Sequence, residues 1–117
     1  MKVLVYDTET TGLPIGRNPS IYNSKLWPHI VQLSYILYDT DKKKPLVSHD
    51  WIIKLPDDVE ISEGSFKLHG ISKDISKTEG VDIDVALDNF DICLSRADEV
   101  VGHNTQFDKK MVIAVSY

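Results

Sequence analysis

The sequence predicts an α/β domain built on a mixed sheet, with three antiparallel strands, a fourth strand parallel to the first, and flanking helices. Three observations predict it. Apolar or alternating runs of strand composition occur at Val3–Tyr6, Ile30–Asp39 and Ser48–Leu55, and three such runs can pair as an antiparallel meander. A 3.6-residue apolar stripe follows, made of Ile83, Ala86, Leu87, Phe90, Cys93, Leu94 and Ala97. Behind it comes a fourth short run, Glu99–Gly102. A strand that follows a helix can return parallel to the first through a crossover. The 117 residues suffice for one domain with one core.

The first strand runs into Asp7-Thr8-Glu9-Thr10-Thr11-Gly12-Leu13. Residues two apart in a strand share a face, so Asp7 and Glu9 can set two carboxylates side by side where the strand ends. Such a pair repels, and a hard divalent cation such as Mg2+ removes the repulsion by coordinating both. Thr8, Thr10 and Thr11 offer hydroxyl and amide donors nearby. Gly12 lets the backbone turn and a ligand approach closely.

Residues 14–29 form a long connection punctuated by Pro14, Gly16, Asn18, Pro19, Ser20, Asn23 and Pro28. Its Arg17, Tyr22, Lys25 and Trp27 suit contact with a nucleic-acid strand by charge and stacking. The other reading is a surface loop with Trp27 folded onto the core. In the second strand Val31, Leu33, Tyr35 and Leu37 share one face, and Ile30 and Ile36 the other, which implies that both faces are covered. Thr40–Pro45 reads as a turn whose Lys42-Lys43-Lys44 run is a solvated hairpin tip. Ile61–Leu68 reads as a short helix with Ser62 as N-cap, stopped at His69-Gly70-Ile71-Ser72, where His69 is expected to fix the turn. Asp82 or Asp84 begins the striped helix. Cys93 lies inside the stripe and reads as a buried, inert thiol. A last helix, from about Thr105 to Val115, carries Phe107, Met111, Ala114 and Val115 on one face.

Composition excludes some functions. At 42% hydrophobic and 26% charged residues the chain is ordinary for a globular protein, and it has no long apolar stretch for a membrane span. Met1-Lys2, followed directly by a strand, leaves no room for a signal peptide. The single cysteine has no internal partner. Together these predict an intracellular protein without a membrane role. The net charge of −5 argues against a basic, non-specific nucleic-acid binder. It is compatible with a metal-dependent nuclease, whose acidic site gains positive charge from bound cations.

Two motifs carry a family resemblance. Asp7-Thr8-Glu9-Thr10-Thr11-Gly12-Leu13 resembles the first motif of the DnaQ-like (DEDD) 3'-to-5' exonucleases, where it ends the first strand of a ribonuclease-H-like domain. Gly102-His103-Asn104-Thr105-Gln106-Phe107-Asp108 resembles the second, a small strand ending in His-Asn-x-x-Phe-Asp. The spacing suits the same cleft. The fourth strand brings Asn104 beside the end of the first, and one turn later Asp108 faces back toward Asp7 and Glu9.

The resemblance implies a ribonuclease-H-like sheet and a site holding two Mg2+ or Mn2+ ions about 4 Å apart. Asp7 would bridge the ions, and Glu9 and Asp108 would hold one each. The terminal nucleotide would lie against Thr8, Thr10, Thr11, Gly12, Leu13, Asn104 and Phe107, with Leu13 wedged on its base. The substrate would be the 3' end of single-stranded DNA or RNA, and the product a nucleoside monophosphate. The family's third motif, a His or Tyr base with a further carboxylate, has no counterpart here, because no Asp, Glu or His follows Asp108. Residues 1–117 therefore read as a single, truncated exonuclease domain lacking the C-terminal part of the fold. The alternatives are an inactive nucleic-acid-binding or protein-interaction module, and a subunit completed in trans. An unpaired edge on the fourth strand would favour a homodimer, a swapped assembly or a completing partner chain.

Overall fold

A computed structural model describes residues 1–12 and 28–102. Among them the chain order is β1 (Lys2–Thr10), β2 (Ile30–Asp39), β3 (Lys44–Ile52), α1 (Glu63–His69), α2 (Lys73–Glu79), α3 (Ile83–Arg96) and β4 (Glu99–Gly102). The strands form one sheet in the order β3-β2-β1-β4. The β1–β2 and β2–β3 pairs are antiparallel and β1–β4 is parallel, the mixed sheet that the sequence predicts. The expectations for residues 14–27 and for a helix over 105–115 lie outside the described residues.

Alternation decides which face each strand buries. On β1 it is Leu4, Tyr6, Thr8 and Thr10; on β2 it is Val31, Leu33, Tyr35 and Leu37. Helix α3 lays Ala86, Leu87, Phe90 and Cys93 on this face. The Phe90 ring stands edge-on to Tyr6 and to Tyr35, with centroids 5.3 Å away in each case, an arrangement that suits the ring quadrupoles. Burial pushes the Cys93 thiol pKa up, which matches the inert reading. A smaller core of Val31, Leu55 and Ile71, with Val59, Ile61 and Ile75 against it, fastens the α1–α2 region beside β2.

Four expectations need correction. Strand β3 begins at Lys44 rather than Ser48, because the hairpin closes tightly over residues 40–43. The Asp39 carboxylate accepts the Lys42 and Asp41 backbone N–H groups, which also hold its pKa below the usual range, and Lys43 takes the left-handed conformation (φ 54°). The strand ends at Ile52, because Ile53 then bridges to Val81. Ile36 is not covered: it is 43% exposed, in line with Val5 (44%) and Val101 (46%), because α3 packs on the opposite face. Leu94, in the last turn of α3, is also exposed.

Caps set the helix boundaries. Ser62 accepts the Ser65 N–H and starts α1; Gly70, at φ 70°, ends it, donating its N–H to Phe66. A left-handed C-terminal residue favours glycine because it has no Cβ to clash. Ser72 caps α2, a helix the sequence reading did not place, and Asp82, not Asp84, caps α3. Buried Ser76 of α2 donates to the Ile53 carbonyl (2.6 Å) and accepts the Leu55 N–H (3.0 Å). The backbone approaches so closely here that a Cβ on Gly80 would lie 2.1 Å from the Ser76 carbonyl oxygen and 2.6 Å from the Lys54 nitrogen. Among the described residues nothing lies within 4 Å of a Cβ placed on Gly64, its helix backbone and chain neighbours aside.

The same substitution should therefore act oppositely at the two glycines. Gly80→Ala is expected to cost about 1–3 kcal/mol, since backbone must shift to admit the methyl. Gly64→Ala is expected to stabilise by roughly 0.5–1 kcal/mol through helix propensity. Urea unfolding of both variants checks the pair; equal midpoints would contradict the close approach at Gly80.

Candidate active site

The candidate site lies at the C-terminal end of β1. The strand does not stop at Tyr6 but continues through the motif to Thr10. Leu4, Tyr6, Thr8 and Thr10 face the core, so Val5, Asp7 and Glu9 face the other way. The two carboxylates thus share a face with a backbone spacing of about 7 Å. Among the described residues the last pair of the β1–β4 ladder is Tyr6 with Gly102, and Asp7 and Glu9 follow it along β1.

Cross-strand register builds the rest of this face. Asp7 stands opposite Ser34 and Glu9 opposite Gln32, and Ser34 stands opposite Asp50 on β3. Asp50 Oδ1 accepts from Gln32 Nε2 (2.6 Å) and from Ser34 Oγ (2.9 Å). Both polar side chains are thereby drawn toward β3. Among the described residues the Asp7 carboxylate has no hydrogen-bond or ion-pair partner. These three neighbours were not singled out from the sequence, since only the register of three strands places them beside the carboxylates.

Past Glu9 the register shifts, and side chains take over the fastening of the backbone. The Thr11 N–H donates to the His29 carbonyl (3.0 Å), and Thr11 Oγ1 accepts the His29 N–H (3.1 Å). The Ser62 N–H donates to the Thr11 carbonyl (2.8 Å), and Thr10 Oγ1 donates to the Gly12 carbonyl (2.7 Å). His69 Nε2 lies 3.0 Å from the Thr10 carbonyl oxygen, and His69 Nδ1 accepts the Ile71 N–H (3.0 Å). His69 therefore fixes the turn at Gly70, as expected, and also reaches the motif.

The structure brings together Asp7, Glu9 and the Thr10–Gly12 backbone. It does not bring the Thr8 side chain to their face: that hydroxyl is on the core side, with Thr8 only 6% exposed. The Thr10 and Thr11 hydroxyls hold the backbone of their own segment. The Thr11 N–H is also taken, whereas the Gly12 N–H donates to no group among the described residues. Leu13, His103, Asn104, Phe107 and Asp108 lie outside the described residues. Asp7 and Glu9 suit a hard divalent cation by donor type, although no group of three metal-ligating side chains occurs among the described residues. No helix among them is long and apolar enough to cross a membrane.

A family model described as an exonuclease, RNase T, matches residues 4–117. The chain belongs to this exonuclease family, the DEDD family, and its fold is the ribonuclease-H-like one. No curated protein matches the chain. Solved structures show the same fold at low identity. Exonuclease I from E. coli in complex with a dA16 oligonucleotide superposes with a TM-score of 0.74 at 17% identity, covering 95% of this chain and 22% of that one. A product-bound exonuclease I gives 0.75 at 18% identity, covering 95% and 24%. A moderately thermophilic exonuclease I from Methylocaldum szegediense gives 0.73 at 18%, covering 94% and 22%. The chain thus spans less than a quarter of the length of these structures.

Gly12 separates folding from ligand approach. It does not have a positive φ, and among the described residues a Cβ there would meet only Ser62, at 3.8 and 3.9 Å, an ordinary contact. The described backbone at Gly12 therefore does not require glycine. Gly12→Ala is expected to change stability by less than about 0.5 kcal/mol. A loss of several kcal/mol on urea unfolding would show that the backbone itself needs glycine at this position.

Proposed function

We propose that these residues form part of a metal-dependent 3'-to-5' exonuclease domain that releases nucleoside monophosphates from a nucleic-acid 3' end. The observation that carries the reading is the placement of Asp7 and Glu9 on one sheet face, just past the last β1–β4 pair among the described residues. Family membership supports it, as does an exonuclease I of the same fold in complex with a dA16 oligonucleotide. Mg2+ or Mn2+ is the proposed cation, with Asp7, Glu9 and Asp108 as its ligands. When bound, such ions activate water and stabilise charge on the transferring phosphoryl group. The chain's own part is to hold them and to seat the strand end. Asp7 and Glu9 offer hard oxygen donors, and the Gly12 N–H, which has no acceptor among the described residues, is a donor for a phosphate or terminal hydroxyl. We assign Leu13, Asn104 and Phe107 to the terminal nucleotide, together with Thr10 and Thr11, which act mainly by shaping the backbone; Thr8, buried on the core side, does not belong to this set.

A second reading is that these residues bind a 3' end without cleaving it, or are completed by another chain. Among the described residues β4 is an outer strand with Val100 and Val101 exposed, where a completing chain or a second copy could pair.

Divalent metal should bind weakly, with water filling the ligand positions the three carboxylates leave open. Titration calorimetry with Mn2+ is expected to give a measurable heat with the parent and little with Asp7→Asn. Equal heats would remove Asp7 from the site. Activity is a separate matter. Loss of a positioned base typically costs about 10^2 to 10^4 in rate, and a missing carboxylate weakens the second ion. Effects within one constellation do not simply multiply. The 117-residue polypeptide is therefore expected to release little or no mononucleotide from 3'-labelled oligonucleotides in Mn2+. Robust release that disappears in Asp7→Ala would show that another group or subunit supplies the base.

A further inference from the structure

We propose that His69 is a positioning residue of the candidate site, setting where the Thr10–Gly12 backbone lies relative to Asp7 and Glu9. The inference rests on the nuclease reading for what that backbone holds, but the geometry stands apart from it. The Thr10 carbonyl can only accept, so the 3.0 Å contact requires a hydrogen on His69 Nε2. The Ile71 N–H can only donate, so Nδ1 must be bare. One form of the ring, neutral and protonated at Nε2, satisfies both partners. In that form the imidazole joins segments that are 59 residues apart in the sequence.

The two bonds do different work. The corner at Gly70–Ile71 is already anchored, by Ile71 in the small core and by the Gly70 N–H on Phe66. Thr10 sits past the register shift at Glu9/Thr10, where it pairs with Ile30 at the end of β1, and its carbonyl meets His69. The peptide linking Thr10 to Thr11 is planar, so fixing the Thr10 carbonyl also aims the Thr11 N–H at His29 and steers the approach to Gly12. Through His69, the α1–α2 corner holds the segment that leads to the Gly12 N–H.

Two isosteres separate the roles. Asn places an amide oxygen where Nδ1 sits, and Gln places an amide N–H where Nε2 sits. His69→Asn should therefore keep the Ile71 bond and its share of stability but lose the Thr10 tether. His69→Gln should do the reverse. With a 5'-fluorescein-labelled oligothymidylate in Ca2+, read by anisotropy, His69→Asn is expected to bind about 3- to 10-fold more weakly, the loss of one hydrogen bond. Its urea midpoint should stay near that of the parent. His69→Gln should bind within about 2-fold of the parent while unfolding at lower urea. Amide exchange at Thr11 should quicken about 3- to 10-fold in His69→Asn alone, with Leu4 and Tyr6 unchanged. Affinity that simply follows stability across both variants would overturn the proposal, as would a Thr11 amide protected equally in parent and His69→Asn. If the parent itself does not bind the oligothymidylate, the nuclease reading loses support, and Thr11 exchange alone decides the positioning role.

Discussion

The register of β1 between its two neighbours is the constraint on which the rest depends. Leu4 opposite Leu37 and Tyr6 opposite Tyr35 place two core residues under α3, and the same alternation turns Asp7 and Glu9 to the other face. Because side chains alternate with a period of two, a one-residue slip would bury both carboxylates and expose Leu4 and Tyr6. Burying two charges without partners costs far more than any loop contact could return, so core packing selects the register that forms the site. The geometry of the chemistry is in this sense a by-product of the packing of Leu4, Tyr6, Tyr35 and Phe90.

Beyond Glu9 the ladder shifts register and ends at the Thr10–Ile30 pair. Thr10, Thr11, His29, Ser62 and His69 replace it with short, specific hydrogen bonds from three directions. Each is worth about 1 kcal/mol net, so the segment is held by a sum of modest terms rather than by burial of a large side chain. The small core around Ile71 and Leu55 supplies the fixed side of this arrangement. Exonuclease I shares the fold over 95% of this chain.

Much of this was legible in the sequence, for identifiable reasons. Strand β2 has the predicted bounds because its alternation is uninterrupted between Pro28 and the Asp39 hairpin. Ser62 and Asp82 were legible as caps because each immediately precedes a helical run. Asp7 and Glu9 were legible because a period of two needs no tertiary information. The start of β3 was misread because Lys42-Lys43-Lys44-Pro45 has turn composition, although Lys44 and Pro45 pair with Asp39 and Tyr38. Helix α2 was missed because Lys73–Glu79 contains one large apolar residue, Ile75, and so shows no stripe. Asp50, Gln32 and Ser34 could not be associated with Asp7 and Glu9 without the register of three strands. The reach of His69 to Thr10 needs the fold itself.

The proposed function requires that the Asp7–Glu9 face hold a divalent cation. Paramagnetic broadening of backbone amide signals by sub-stoichiometric Mn2+ tests it most directly, since the effect falls steeply with distance from the ion. The account predicts early loss of the Asp7–Gly12, Gln32 and Ser34 signals, with the Thr40–Lys43 hairpin unaffected. Broadening centred on Asp39 and Asp41, or on the Asp84, Asp88 and Asp91 side of α3, would contradict it.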